Sequence, residues 1–268
     1  MDVHLRPTDI LDYEREPLRA LIGSRGWREL PYAARIGAVY DFVRDEIEFG
    51  YNASDAIPAS RVLADGYGQC NTKTTLLMAL LRAVGVPCRF HGATIDKRLQ
   101  KGVVEGALYR MAPRNILHSW TEVWFDDRWV DLEGVILDAD YLAGLRNTVA
   151  STGSFLGYGA GTDDIADPPV AWVGADTAIQ KTGVNGDFGT FDDPDNFYRA
   201  HGTNLTGVRK FLYQRIIRHV MNRRVASIRG CAITPAVRRP APVLARNLGD
   251  RHPTPTTRSF RSPRHRPW

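Results

Sequence analysis

Apolar positions recur at helical spacing in two blocks near the start of the chain, residues 16–22 and 32–47, with a break at Gly26-Trp27 between them. In the second block Ile36, Val39, Tyr40, Phe42, Val43 and Ile47 fall on one stripe, which predicts an inward face. An extended piece over 49–52 follows, then a short helix opening at Pro58-Ala59-Ser60, with Ser60 as its cap and its end near Asp65-Gly66. Residues 71–84 predict another helix, with Leu76, Leu77, Leu80, Leu81 and Val84 on one face and Gly85 as the stop. Gly66 and Gly68, just upstream of Cys70, allow a sharp turn and leave room for a ligand to approach. Beyond Pro87 the pattern becomes that of a strand over 88–95, with Cys88 as a small buried side chain.

The clearest β signal runs over 117–132, where Val123, Trp124, Phe125, Trp129 and Val130 flank Asp126-Asp127. A two-residue connection suits a hairpin, although the usual glycine is missing. Pairing Phe125 with Arg128 puts His118, Trp120, Glu122 and Trp124 on one sheet face with Trp129, Asp131 and Glu133. Residues 151–200 are rich in Gly, Asp and aromatics with weak periodicity, and no internal repeat is present. Helical spacing returns at Val208, Phe211, Leu212, Ile216, Ile217, Val220, Met221, Val225 and Ile228, with Arg and Lys filling the other faces, which predicts a helix packed on the body. From Pro235 onward 7 of the 16 prolines crowd together with Arg, Ser and Thr, the pattern of a disordered tail. The expected organisation is one domain over 1–200, a basic amphipathic helix within 201–232 and a Pro/Arg-rich tail over 233–268.

A hydrophobic content of 43% in 268 residues is that of a globular chain and excludes a disordered one. Three scattered cysteines do not make a disulfide framework. Charged residues interrupt every apolar stretch near the start, and the longest apolar run, 76–81, is far short of a membrane span. Neither signal peptide nor membrane anchor is expected, and the cytoplasm is the default compartment. The net charge of +5 conceals an asymmetry: residues 1–200 carry 20 Lys/Arg against 29 Asp/Glu, whereas 201–268 carry 15 against one. Aromatics are not interleaved with the arginines as base stacking would need, so nucleic acid is not an expected partner.

Chemistry concentrates around Cys70. A thiolate is stabilised at a helix N-terminus by unpaired N–H groups and the positive end of the helix dipole. Such a nucleophile needs a histidine base, and the histidine needs an acceptor that fixes its tautomer. Of seven histidines, His118 is the one in a well-defined strand with carboxylates on its face. In the hairpin register Glu133 is a diagonal neighbour of His118, at about 5.5 to 8 Å between Cα atoms. Asp131 lies opposite Glu122, on the order of 13 Å along the strand from His118; a longer loop would shift this register, so Asp131 stays in reserve. Trp120 is expected to wall a substrate groove. No paired Cys or His spacing suggests a metal site, and no cofactor is expected.

Taken in order, Ser60-Arg61-Val62-Leu63, Gly68-Gln69-Cys70, Leu81-Arg82-Ala83-Val84-Gly85-Val86-Pro87-Cys88-Arg89, His118-Ser119-Trp120-Thr121-Glu122-Val123-Trp124 and Trp129-Val130-Asp131-Leu132-Glu133 resemble the transglutaminase-like superfamily over about residues 30–138. The resemblance implies an α+β, papain-like fold in which the helix bearing the cysteine packs on an antiparallel sheet. It assigns the nucleophile to Cys70, the base to His118 and the third position to Glu133, where the family usually has Asp. Glu is one methylene longer, so the triad's orientation is open to change. The Cys70 N–H would supply one oxyanion donor; Tyr51 is the second, since this region often contributes an aromatic donor in the family, with Gln69 as the alternative. The implied activity is a cysteine-dependent amide hydrolase or acyl transferase working through a thioester on a protein or peptide amide. Hydrolysis is favoured over an amine acceptor, because water needs no second-substrate site. Calcium is not implied. The competing readings are a non-catalytic interaction module with a basic C-terminal region, and an arylamine N-acetyltransferase, whose Arg-Gly-Gly signature before the cysteine is missing. The segment 92–117 is expected to overhang the cleft.

Overall fold

Every residue of the helix Cys70–Ala83 is buried, the polar Asn71, Thr72, Lys73, Thr74, Thr75 and Arg82 included. A helix enclosed all round is a central rod rather than a surface helix with one apolar stripe, and this differs from the single inward face its leucines suggested. The reason is its polar side chains, which bond to the elements wrapped around it. Arg82 donates to the carbonyls of Arg6, Cys88 and Asp192, and Thr74 Oγ1 to that of Ser119. The computed structural model describes residues 2–149 and 151–232; the expected tail over 233–268 lies outside the described residues.

In chain order the helices are α1 (Glu16–Arg25), α2 (Tyr32–Asp41), α3 (Ala59–Asp65), α4 (Cys70–Ala83), α5 (Gly106–Met111), α6 (Ala139–Thr148), α7 (Pro194–His201), α8 (Gly207–Leu212) and α9 (Arg218–Gly230). The strands are β1 (Glu48–Phe49), β2 (Tyr67–Gly68), β3 (Cys88–Asp96), β4 (Asn115–Phe125), β5 (Arg128–Asp131), β6 (Phe155–Gly157), β7 (Ala160–Thr162) and β8 (Val184–Phe191). The main sheet is antiparallel in the order β5-β4-β3-β8. With α4 packed on β4 and β3, the protein is an α+β fold.

The β4–β5 hairpin pairs Phe125 with Arg128 and Glu122 with Asp131, the register expected from the sequence. Its two-residue turn works without glycine because Asp126 and Asp127 adopt φ of 50° and 56°, and aspartate tolerates the left-handed region better than most residues. β8, in the weakly patterned stretch after residue 151, was not legible as a strand: it is glycine-rich, none of its residues is fully buried, and register shifts in its pairing with β3 interrupt the alternation. The short helix α3 begins at Ala59, so Ser60 lies inside it rather than capping it. The Ser60 hydroxyl bonds Asp12 instead. Gly66, at φ 70°, ends α3. Gly68 leaves room for the chain's own helix and not for a ligand, since a Cβ there would meet Thr72 Oγ1 at 2.7 Å and Lys73 Cγ at 2.9 Å.

The C-terminal helical segment divides its apolar residues between two faces. Met221, Val225 and Ile228 are buried, while Val208, Phe211, Ile216 and Val220 are exposed. The single inward stripe is thereby corrected: a π-helical turn at Tyr213–Ile217 changes the phase between α8 and α9. α9 lies against α6 with Gly144 at the crossing, where a Cβ would come within 2.0 Å of the Ile228 carbonyl.

Candidate functional site

Cys70 stands at the first position of α4, behind an N-terminal box built by its neighbours. The Gln69 N–H donates to Thr72 Oγ1 at 3.0 Å, and the Thr72 hydroxyl reaches Asn52 Oδ1 at 2.6 Å. Gln69 Oε1 accepts from the Asn52 N–H at 3.1 Å. These bonds join the extended segment after β1 to the start of α4 and hold the first turn in place, with the thiol at the positive end of the helix.

His118 is contributed by β4, which is aligned along α4 by polar contacts: Ser119 Oγ donates to Asn71 Oδ1 at 2.9 Å, and Asn71 Nδ2 to the Leu117 carbonyl at 3.1 Å. Its imidazole is fully buried. Nε2 lies 3.2 Å from Glu133 Oε1, an ion-pair contact rather than a straight hydrogen bond. The Cys70 thiol is the other ionisable group against the ring. Burial disfavours an imidazolium, but Cys70 and Glu133 outweigh it and hold the His118 pKa up at about 9. The ring is therefore positioned to carry a proton at neutral pH.

Glu133 was expected on the strand face; it lies instead in a short 3-10 turn, Glu133–Val135, because β5 ends at Asp131. From there its carboxylate still reaches His118. It is anchored on its other side by the backbone N–H groups of Ile179 and Gln180, the latter at 2.9 Å from Oε1 and 3.0 Å from Oε2. Asp131 faces elsewhere, accepting from Trp120 Nε1 at 2.9 Å and pairing with Lys181 Nζ at 3.2 Å. Of the two carboxylates, the structure brings Glu133 to the histidine.

Tyr51, Gln69 and Cys70 line one cavity, together with Phe49, Ile95, Leu99, Val104, Ile116 and, from the C-terminal segment, Leu212, Tyr213, Ile217 and Met221. Burial pushes the Tyr51 phenol well above its ordinary pKa, so it remains a neutral O–H. Its backbone is clamped by Asn222, which accepts from the Tyr51 N–H at 2.7 Å and donates to its carbonyl at 3.2 Å. Trp120 is not among the residues lining this cavity, which corrects its expected place on a groove wall. The indole instead stacks on the ring of His91, with centroids 4.0 Å apart, in register with it on β3. The segment 92–117 does contribute wall residues, among them Leu108, Met111 and Pro113.

Four supporting residues escaped the sequence analysis. Asp55 gathers Gln69 Nε2 at 3.2 Å, Asn71 Nδ2 at 3.3 Å and, from beyond α7, the Asn204 N–H and Nδ2 at 3.2 and 3.0 Å. Gln180 lines the cavity and holds Glu133 through its backbone. Asn71 adjoins Cys70 and could have been noticed for that; Asp55, Gln180 and Asn204 lie in loops with no motif to mark them.

The α+β framework thus brings together a helix-start thiol, a sheet-borne imidazole and a buried carboxylate. Residues 24–134, less than half of the chain, match the family model of the transglutaminase-like superfamily. Members of this superfamily are typically cysteine-dependent. Two solved structures are similar: a candidate cysteine protease from Cytophaga hutchinsonii (13% identity, TM-score 0.41, covering 72% of this chain and 47% of that one) and red sea bream transglutaminase (16% identity, TM-score 0.29, covering 87% and 42%). The chain thus spans less than half the length of either. No curated protein matches it.

Proposed function

We propose that Cys70, His118 and Glu133 form the triad of an amide hydrolase that works through a thioester. The observation that carries this reading is the arrangement of His118 between Glu133 and the thiol of Cys70, with Cys70 lining a cavity. The Cys70 thiolate, its proton on His118, attacks the carbonyl carbon of an amide, and the C=O electron pair moves to oxygen. The Cys70 backbone N–H and the Tyr51 hydroxyl supply the donors for that oxyanion. Tyr51 is preferred to Gln69, whose amide oxygen and nitrogen are already bonded to Asn52 and Asp55. On collapse the C–N bond breaks and the departing amine takes the proton from His118, leaving the acyl group on sulfur. His118 then takes a proton from water as it attacks the thioester, releasing a carboxylic acid and restoring the thiol. Glu133 does not need to change its protonation state; it orients and stabilises the imidazolium.

Iodoacetamide labelling followed by peptide mapping tests the thiol. Cys70 should alkylate faster than Cys88, whose thiol burial pushes up to about 11, and faster than the exposed Cys231. Labelling of Cys70 no faster than that of Cys231 in the folded protein would remove the nucleophile from this reading.

A further inference from the structure

Much of the wall of the cavity that Cys70 lines is hydrocarbon. Leu108 and Met111 come from α5, Leu117 from β4, and Leu212 and Ile217 from the C-terminal segment, and each of them keeps accessible surface, Met111 as much as 61%. Neither α5 nor α8 contains a buried residue. Apolar surface left open beside a helix-start thiol marks a ligand site rather than a core. The polar side chains of the wall offer little in exchange. Both oxygens of Asp55 accept from Gln69, Asn71 and Asn204. Gln69 Oε1 accepts from the Asn52 N–H, Asn71 Oδ1 from Ser119, and Asn204 Oδ1 from the Leu117 N–H at 2.7 Å. Gln100, Arg209 and Lys210 also line the cavity, but they are partly or fully exposed, where water serves them. A peptide segment entering here would bring N–H and C=O groups that must exchange water for protein partners, and these amides are already engaged. A hydrocarbon chain brings no such groups and gains by leaving water.

We infer that the acyl half of the substrate is a straight aliphatic chain, so that Cys70 acts on a fatty acyl amide whose chain lies against Leu108, Met111, Leu212 and Ile217. This rests on the proposed function, since it takes the cavity beside Cys70 as the substrate's place. The acyl half is the part that stays on sulfur in the thioester, so it is the half that must remain housed while the amine leaves and water attacks. An apolar wall meets that need. Selectivity then grows with chain length, because each methylene taken out of water adds a roughly constant increment of affinity, and an oxygen placed in the chain loses its bonds to water without replacement. Leu108 and Leu212 are only half-buried and lie on helices without a buried residue, so they can be altered while the core and the triad stay in place.

The test uses p-nitrophenyl acetate, p-nitrophenyl octanoate and the diether ester in which two chain methylenes of the octanoate are replaced by oxygen, each at a concentration where it is monomeric. Release of p-nitrophenolate by the full chain is measured, the rate of Cys70→Ala is subtracted, and the remainder is divided by the rate with free cysteine. Butanol and octanol, which do not react, are compared for binding by ligand-observed NMR. The wild-type protein should favour the octanoate over both other esters, and octanol over butanol, by about tenfold or more. Leu108→Gln combined with Leu212→Gln should lower these ratios several-fold. Phe211→Gln, at an exposed position of α8 outside the cavity lining, should leave them unchanged. An octanoate no faster than the acetate or the diether in wild type, a comparison that needs no variant to fold, would overturn the assignment, as would ratios unmoved by the double change. An inert Cys70 in a protein that binds octanol through Leu108 and Leu212 would count against the proposed chemistry alone. A reactive Cys70 with no chain-length preference would count against the aliphatic chain alone.

Discussion

Glu133 reaches His118 from a turn, and that position separates its contribution from that of Asp131. Glu133→Gln keeps one oxygen, which at the Oε2 position still accepts from Ile179 and Gln180, but removes the negative charge beside the imidazole. The His118 pKa, held at about 9 against the opposing effect of burial, should then fall. On the proposed mechanism the protonated ring is the acid for the leaving amine, so activity is lost as pH rises through this pKa. In Glu133→Gln the alkaline limb of kcat/KM should therefore move to lower pH, and kcat should drop by on the order of 10²-fold. Asp131→Asn, which touches Trp120 and Lys181, should leave the limb in place. A pH profile of both variants checks this, and a shifted limb in Asp131→Asn with none in Glu133→Gln would exchange their roles.

At the scale of elements, the site depends on how the C-terminal segment docks. Asn222 on α9 clamps the Tyr51 backbone, and Arg229 at the end of α9 pairs with Asp138 at 2.7 Å and donates to the Phe49 carbonyl at 3.0 Å. The closeness of α6 and α9 rests on Gly144 having no side chain. Gly144→Ala places a methyl group against backbone, which cannot move aside as a side chain would. It should cost roughly 1–3 kcal/mol, read as a lower Tm and faster proteolysis within 207–230. Gly23→Ala in α1, where no atom lies within 4 Å of the added Cβ, serves as the control and should be neutral or slightly stabilising.

Across the whole molecule, enclosing α4 on all sides forces a lysine into the core. Lys73 is completely buried, and its ammonium donates to the Arg44 carbonyl at 2.9 Å. Burial lowers its pKa to about 7, outweighing the opposing pull of Asp138 and Asp45. Because the folded pKa lies below the unfolded value of about 10.4, the unfolded chain binds a proton that the folded one resists between these two values. The destabilisation this residue causes is absent above the unfolded pKa, grows as pH falls, and reaches its full size below about 7. Lys73→Met should raise Tm most below pH 7, with the gain shrinking towards pH 10; a gain independent of pH would mean that the charge is not what costs.

Much of the site could be read from the chain because its signals are local. The start of α4 behind Gly68-Gln69, the β3 and β4 strands, and the register that joins Phe125 to Arg128 all follow from periodicity and turn length, which neighbouring residues determine among themselves. Cys70, His118 and Glu133, the proposed triad, were singled out from such local signals together with the family resemblance. Only the tertiary structure decided that α4 is buried on every side, that β8 closes the sheet, and that Trp120 packs on His91. It alone decided that Asp55, Gln180 and Asn204 gather around the thiol. These are contacts between segments far apart in the chain, where no residue carries a local preference that reveals its partner. Their placement follows from how the packed elements share one interior.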